Sequence, residues 1–193
     1  MTALPAFTLS DASGAGFAFP TGRHTLLCFV KEDCPTCVLS MPLIQAAAET
    51  FGEAMDVWCI GQDAAGNARL AERFGLTAPM LDDSKLHVSY RYDLDTVPTV
   101  ILAGPGGDEL ERFIGFGRDD WQKLFHRLIT ITLAPAPVVD WSAYPVSRPG
   151  CGSKSVEPGI AERLAAEMEG NPLHARRIDV GEADDIFEFM FDQ

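Results

Sequence analysis

The apolar residues of this chain form short continuous runs that alternate with segments of helical spacing. Residues 5–20 contain two strand-like pieces around a turn rich in Ser, Asp and Gly, which predicts an opening hairpin. The runs HTLLCFV at 24–30 and MDVWCIG at 55–61 predict buried strands. Residues 99–104 and 109–116 flank the turn PGGD and predict a second hairpin.

Four segments have apolar residues at helical spacing. The first covers residues 38–51, with a kink predicted at Pro42 and an end at Gly52. The others are NARLAERFG, which ends at Gly75, a weaker helix over SKLHVSYRYD, and DDWQKLFHRLIT. This order of elements predicts an α/β domain over residues 1–134, with a mixed central sheet and helices on both faces.

The amino-acid composition of the chain changes after this domain. Residues 135–155 are rich in proline and predict a linker or a strap lying across the domain. Residues 156–193 form an acidic C-terminal extension, with a helix predicted over SVEPGIAERLAAEME and a short strand over HARRIDVG. Acids and phenylalanines interleave in residues 182–193, which predicts contact with the chain's own domain, with a partner or with another copy in an oligomer.

Composition narrows the possible partners. The 193 residues carry 15 basic and 28 acidic side chains, a net charge of -13, which argues against nucleic acid or an anionic membrane as the main partner. No apolar run reaches the roughly 18 to 20 residues that a membrane helix needs, and no basic start precedes an apolar stretch. These features predict a cytoplasmic location. Five cysteines are an odd number for a structural disulfide framework, so paired cysteines are expected to be redox-active or metal-binding.

The stretch KEDCPTCVLSMP puts two cysteines three positions apart between a strand and a helix. A thiol at a helix N-terminus has a lowered pKa, because free N–H groups and the helix dipole favour the thiolate. This predicts an accessible nucleophile at Cys34, with Pro35 at the first helical position and Cys37 one turn further on as a less exposed resolving thiol. No second Cys or His pair accompanies them, so no metal site is predicted.

These residues resemble the thioredoxin fold, and in particular the redoxin branch of TlpA-like thiol-disulfide oxidoreductases and AhpC/TSA peroxiredoxins. The resemblance covers residues 4 to about 130 and depends on LPAFTLSD, LLCFVKEDCPTC, the helix proline Pro42, IGQD at 60–63 and TVPT at 96–99. It implies a thioredoxin-like three-layer sandwich and thiol-disulfide exchange with protein substrates. Electrons would pass to or from a redox partner protein, and no cofactor is implied.

The same resemblance implies a substrate site beside the cysteine pair. By match to the family motif, Pro98 is a cis-proline that faces the pair. Val97 would offer backbone hydrogen bonds to an extended peptide, and Thr99, Pro35 and Thr36 would complete the peptide-binding edge.

Two departures from the family pattern keep alternatives open. Where many thioredoxins have a buried acid six residues before the first cysteine, this chain has Cys28, so Glu32, Asp33 or water would have to take the proton of the second thiol. The Thr and Pro that precede a peroxidatic cysteine are missing in either register; relative to Cys34 their positions hold Lys31 and Leu27. Thiol peroxidase activity is therefore an alternative to the oxidoreductase. A non-enzymatic module that binds a partner through the groove and the acidic tail is another.

The remaining cysteines differ in setting. Cys28 and Cys59 lie within the two buried strand runs and are predicted to be small core residues. Cys151 lies between glycines and near two bases, which predicts an exposed thiol. It is either a third redox cysteine that exchanges with Cys34 or with another subunit, or a surface thiol without a role.

Overall fold

The computed structural model describes residues 2–168. The strands of this part, in chain order, are β1 (Phe7–Ser10), β2 (Gly16–Phe19), β3 (Thr25–Val30), β4 (Asp56–Gly61), β5 (Met80–Asp82), β6 (Thr96–Val97), β7 (Thr99–Ala103), β8 (Glu109–Ile114), β9 (Phe116–Gly117), β10 (Ser147–Arg148) and β11 (Cys151–Gly152). The helices are α1 (Pro35–Phe51), α2 (Ala64–Phe74), α3 (His87–Arg91), α4 (Arg118–Thr132) and α5 (Ile160–Glu167).

A five-stranded mixed sheet in the order β5-β4-β3-β7-β8 forms the centre of the molecule. β3 runs parallel to β4 and antiparallel to β7, and all six of its residues are buried. The two buried strands and the β7–β8 hairpin predicted from the apolar runs are confirmed. β5 was not predicted, because it has only three residues and directly follows Pro79, so it carries no run of strand-forming residues.

Aromatic side chains join the sheet to a layer on each face. On one face α1 packs against α4, with the Phe51 and Phe125 rings 6.1 Å apart. On the other, the predicted N-terminal hairpin β1–β2 lies over the sheet, and the Phe7 ring is 6.3 Å from Trp58 and 6.0 Å from Tyr92. The predicted α/β architecture, with a mixed sheet between two covering layers, is confirmed.

Helix ends follow the local signals in the sequence. Pro35 occupies the first turn of α1, and Gly52 is its C-cap. Gly75 ends α2 in the left-handed conformation, with φ of 56°. The weaker helix predicted over residues 84–93 is present as α3 but has only five residues.

Residues 135–155, which we call the strap, lie against the domain. The Trp141 ring is 5.9 Å from Phe125, and the Tyr144 ring stacks on Phe116 at 5.7 Å. Further along, β10 pairs antiparallel with β9, and β11 pairs antiparallel with β6. These contacts favour a strap across the domain over a free linker, while the predicted boundaries of residues 1–134, 135–155 and 156–193 stay predictions.

The C-terminal extension begins with the predicted helix, observed as α5. Leu164 on this helix is fully buried, and the Glu167 carboxylate lies 2.9 Å from Nε2 of His87. The strand predicted over HARRIDVG and the interface predicted for residues 182–193 lie outside the described residues. Between residues 2 and 168, none of the helices combines the length and apolar character that crossing a membrane requires.

Candidate active site

Cys34 is placed where the central strand β3 turns into α1. Its backbone is extended, it is the N-cap residue of α1, and its Sγ accepts a hydrogen bond from the Cys37 N–H at 3.3 Å. The first amides of a helix have no partner within the helix, so a sulfur at this position can take one of them. Pro35 follows and has no N–H to leave unpaired. The predicted position of Cys34 at a helix N-terminus is confirmed.

Cys37 lies one turn along α1 and beneath Cys34. Its Sγ accepts a hydrogen bond from the Lys31 N–H at 3.4 Å, and neither Cys37 nor Cys34 has exposed surface (0% each). Both thiols are free. The sequence therefore located the pair correctly, but the prediction that Cys34 is accessible was wrong for this state of the protein.

The strand β6 borders the pair on the side opposite α1. The Cys34 sulfur lies 3.4 Å from the Val97 carbonyl oxygen, to which it can donate only while it is protonated, and the Val97–Pro98 peptide bond is cis. The Pro98 carbonyl accepts from the Gly115 N–H at 2.8 Å. Val97 and Pro98 thus lie beside Cys34, as the family motif implied.

Thr99 is arranged differently from the expected substrate contact. Its side chain is buried, and its hydroxyl donates to the Thr96 carbonyl at 2.7 Å. This hydroxyl closes the turn between β6 and β7, and it is already engaged.

The strap brings Cys151 into the same site. In the pairing of β11 with β6, Cys151 lies opposite Val97, whose carbonyl oxygen is 3.4 Å from the Cys34 sulfur. The prediction that Cys151 is exposed was wrong: Cys151 is half-buried, because the strand to which it belongs, β11, pairs with β6. A pairing between segments more than fifty residues apart leaves no local pattern in the sequence.

Two further contacts hold the strap over the site. The Thr36 hydroxyl donates to the Pro149 carbonyl at 2.7 Å. Buried Gln62 donates to the Ser153 hydroxyl at 2.7 Å. Thr36 was predicted as a substrate-binding residue, whereas Gln62 and Ser153 were missed. Gln62 belongs to the quoted motif IGQD, and a polar residue at the carboxyl end of a buried strand was the available signal.

The three thiols of the site have different proton affinities. Hydrogen bonds lower the pKa of Cys34 to about 5, first from the Cys37 thiol, then from the Cys151 thiol and the first amides of α1, although burial opposes this. Burial and the neighbouring Cys34 raise the pKa of Cys37 far above its ordinary value. Burial and Cys34 also raise the pKa of Cys151. Cys34 is therefore the thiolate of the group, and the other two are its hydrogen donors.

The acids considered as proton acceptors for Cys37 are engaged elsewhere. Glu32 accepts two hydrogen bonds from Arg69, one of them at 2.6 Å, and Asp33 pairs with Lys31 at 3.5 Å. Cys28 occupies the position of the acid found in many thioredoxins. It is fully buried, and burial raises its pKa well above the ordinary value, so it stays protonated. Over residues 2–168, no group of three or more His, Cys, Asp or Glu side chains is arranged to hold a metal ion.

The low pKa of Cys34 predicts how the thiolate absorbance and the stability of the reduced protein depend on pH. In the reduced protein, thiolate absorbance in the ultraviolet should show a step near pH 5 that is absent in Cys34→Ser. Folding lowers this pKa from 9.0, so the folded chain binds fewer protons than the unfolded chain between these two values. The free energy of unfolding of the reduced protein should therefore rise with pH through this window, and this contribution should be lost as the pH falls through about 5. A first thiolate step near pH 9 would contradict the assignment.

Comparison with known proteins agrees with this architecture, although no family model matches the chain. Human NHL repeat-containing protein 2 is 26% identical over 113 residues, which cover 54% of this chain and only 15% of the human protein. The chain thus spans a small part of that relative.

Solved structures match more of the chain. A candidate thioredoxin from Neisseria meningitidis has a TM-score of 0.60 and 26% identity, covering 66% of this chain and 88% of that one. A secreted disulfide oxidoreductase from Mycobacterium tuberculosis has a TM-score of 0.55 and 20% identity, and the match covers 64% of this chain and 95% of that one. The thioredoxin domain of a thiol-disulfide oxidoreductase from Bacteroides vulgatus has a TM-score of 0.57 and 18% identity, and the match covers 66% of this chain and 96% of that one. The chain has a thioredoxin fold, and its structural neighbours include thiol-disulfide oxidoreductases of that fold.

Proposed function

We propose that this protein is a thiol-disulfide oxidoreductase that acts on protein disulfides, with Cys34 as nucleophile and Cys37 as resolving thiol. The observation that carries the proposal is the hydrogen bond from the Cys37 N–H to Cys34 Sγ, 3.3 Å long, at the start of α1. It is the contact expected of a thiolate stabilised by a helix N-terminus.

In the first step, the Cys34 thiolate attacks one sulfur of a substrate disulfide. A bond forms between Cys34 and that sulfur, the substrate disulfide breaks, and the other substrate sulfur leaves as a thiolate. With a pKa of about 5, Cys34 is ionised at neutral pH without a general base. This removes the need for an acid at the position that Cys28 occupies.

In the second step, Cys37 loses its proton and attacks Cys34 Sγ. The mixed disulfide breaks, a Cys34–Cys37 disulfide forms, and the second substrate sulfur leaves as a thiolate that takes up the proton. The charge on Cys34 is one of the causes that raise the pKa of Cys37. That charge is gone in the mixed disulfide, so Cys37 ionises more easily at the moment when it has to react.

Substrate binding is assigned to the edge formed by Pro35, Thr36, Val97 and Pro98. Pro35 is exposed, and it lines a surface pocket with Val38. An extended peptide that pairs with Val97 would bring its cysteine towards Cys34, because the Cys34 sulfur lies 3.4 Å from the Val97 carbonyl. Thr99 supports this edge through the turn, and its hydroxyl, which is bonded to the Thr96 carbonyl, is not assigned a direct contact with the substrate.

A dithiol protein partner would return the Cys34–Cys37 disulfide to the reduced state, and no cofactor takes part. A thiolate stabilised this strongly favours the reduced form of the pair. We therefore expect a reduction potential above that of thioredoxin, in the range between about -270 and -120 mV. A cytoplasmic location remains part of the proposal, and cell fractionation tests it.

The test is equilibration in glutathione buffers of graded potential, followed by acid quenching, alkylation and intact-mass counting of free thiols. To isolate the pair, it is performed on Cys151→Ser. We expect one transition in which two free thiols are lost together, and no such transition when Cys34→Ser is added. If Cys34 and Cys37 never form a disulfide at any potential, the oxidoreductase proposal fails, and a binding module becomes the better description.

A further inference from the structure

The strap pairs with the strand to which we assign the substrate peptide. β11 runs antiparallel to β6, with Cys151 opposite Val97 and Gly152 opposite Thr96. Addition of a strand to an exposed sheet edge is one of the recurring ways in which a protein binds an extended peptide. The chain's own residues 147–153 therefore occupy the edge that a substrate would use.

The cysteine of this segment lies where the substrate sulfur would have to be. Cys151 lies opposite Val97, the Val97 carbonyl oxygen is 3.4 Å from the Cys34 sulfur, and Cys34 has no exposed surface while the strap is in place. On the helix side, Thr36 donates to the Pro149 carbonyl at 2.7 Å. Val97 on β6 and Thr36 on α1, which we assign to substrate binding, are thus both in contact with the strap beside Cys151.

The position of the strap is specified at both ends. Before the site, the Arg118 N–H donates to the Val146 carbonyl at 2.9 Å. After it, buried Gln62 donates to the Ser153 hydroxyl at 2.7 Å and accepts from the Lys154 N–H at 3.0 Å. Because Gln62 and Ser153 are buried polar groups that need partners, the position of the segment over the site is specific.

We propose that residues 147–153 act as an internal substrate and that Cys151 is a third redox thiol, which exchanges the Cys34–Cys37 disulfide for a Cys34–Cys151 disulfide. The Cys151 thiolate attacks Cys34 Sγ, the Cys34–Cys37 bond breaks, and Cys37 leaves as a thiolate that takes up the proton released by Cys151. Electrons balance within the chain, since one disulfide replaces another. The inference depends on the proposed function, because that activity supplies the Cys34–Cys37 disulfide.

The exchange has a consequence for access to the site. A Cys34–Cys151 disulfide ties the strap covalently over β6, so the oxidised protein is closed to a substrate peptide. Reduction of that disulfide leaves the strap held by noncovalent contacts, which a peptide can displace. The third thiol thereby couples the redox state of the site to its accessibility.

Single-cysteine replacements separate the two disulfides. Cys151→Ser, Cys37→Ser and the double variant are incubated with oxidised glutathione, quenched with acid, alkylated and digested with trypsin without reduction. Trypsin leaves Cys34 and Cys37 together on residues 32–69 and Cys151 on residues 128–154, so a Cys34–Cys151 disulfide joins two peptides.

We expect Cys151→Ser to form Cys34–Cys37, and Cys37→Ser to form Cys34–Cys151 in at least about tenfold excess over glutathione bound at Cys34, because Cys151 competes as a tethered thiol. The double variant should keep glutathione on Cys34. Glutathione persisting on Cys34 in Cys37→Ser, with a normal Cys34–Cys37 disulfide in Cys151→Ser, overturns this inference and leaves the proposed function intact. Absence of Cys34–Cys37 in Cys151→Ser overturns the proposed function and the exchange with it.

Discussion

Replacing Cys34 with serine is expected to lower the rate of insulin disulfide reduction by at least about a thousandfold, because a hydroxyl cannot replace a thiolate as the attacking group. The Cys37 amide, 3.3 Å from the Cys34 sulfur, stabilises the thiolate, and the Cys34 pKa is lowered to about 5. The serine hydroxyl would stay protonated at any pH of the assay. The rate is followed with a dithiol reductant in excess, so that return of the enzyme to its reduced form does not limit it.

Two other cysteine replacements complete this experiment. Cys37→Ser should still form the mixed disulfide with substrate but release it slowly, so a covalent enzyme–substrate adduct should accumulate. Cys59→Ala is the control, since this thiol is fully buried in β4 and burial raises its pKa to about 12. Its activity should match the wild type at a temperature where both are folded. Equal activity of Cys34→Ser and the wild type would remove Cys34 from the mechanism.

Replacing Gly150 with alanine is expected to raise the rate at which iodoacetamide alkylates Cys34 in the reduced protein. A Cβ at Gly150 would lie 2.6 Å from the Val97 carbonyl oxygen and would clash with Cγ2 of Thr96, so the strap has to move away from β6. Overpacking of this kind costs roughly 1 to 3 kcal/mol. If alkylation requires the strap to open, the rate should increase by about 5 to 150 times.

Gly152→Ala is the matched control for that experiment. Gly152 lies two residues further along the strap, in β11 and opposite Thr96, yet a Cβ there would meet nothing within 4 Å. Its alkylation rate should equal that of the wild type. If the two glycine variants behave alike, the strap does not limit access to Cys34.

The cysteine pair could be located from the sequence because its signals are local. A buried strand, a proline at the first helical position and two cysteines three apart all lie within residues 25–42, and each acts on its neighbours. The position of Val97 and Pro98 needed the resemblance to a known fold, since nothing near those residues indicates what they face. Thr99 shows the limit of that approach, because a motif names the residue but does not say where its hydroxyl is bonded.

Exposure of the site could not be predicted in the same way. Cys34 was expected to be accessible and Cys151 to be a surface thiol, and each expectation was reasonable for its own segment. Both were wrong because a pairing of only two residues on each strand, Cys151–Gly152 with Thr96–Val97, brings the two segments together. Such a short pairing depends on anchors at Arg118 and Gln62.

The sequence by itself determined the α/β order of elements, the central strands and the position of the cysteine pair at the start of a helix. These features follow from periodicity, from caps and from the chemistry of neighbouring residues. Only the tertiary structure decided that the proline-rich segment returns across the site and that Cys151 and Cys34 both lie beside Val97. Cys34 and Cys151 are more than a hundred positions apart in the chain. The strap is held there by burial and by hydrogen bonds to distant segments, and no local sequence pattern indicates which segments will pair.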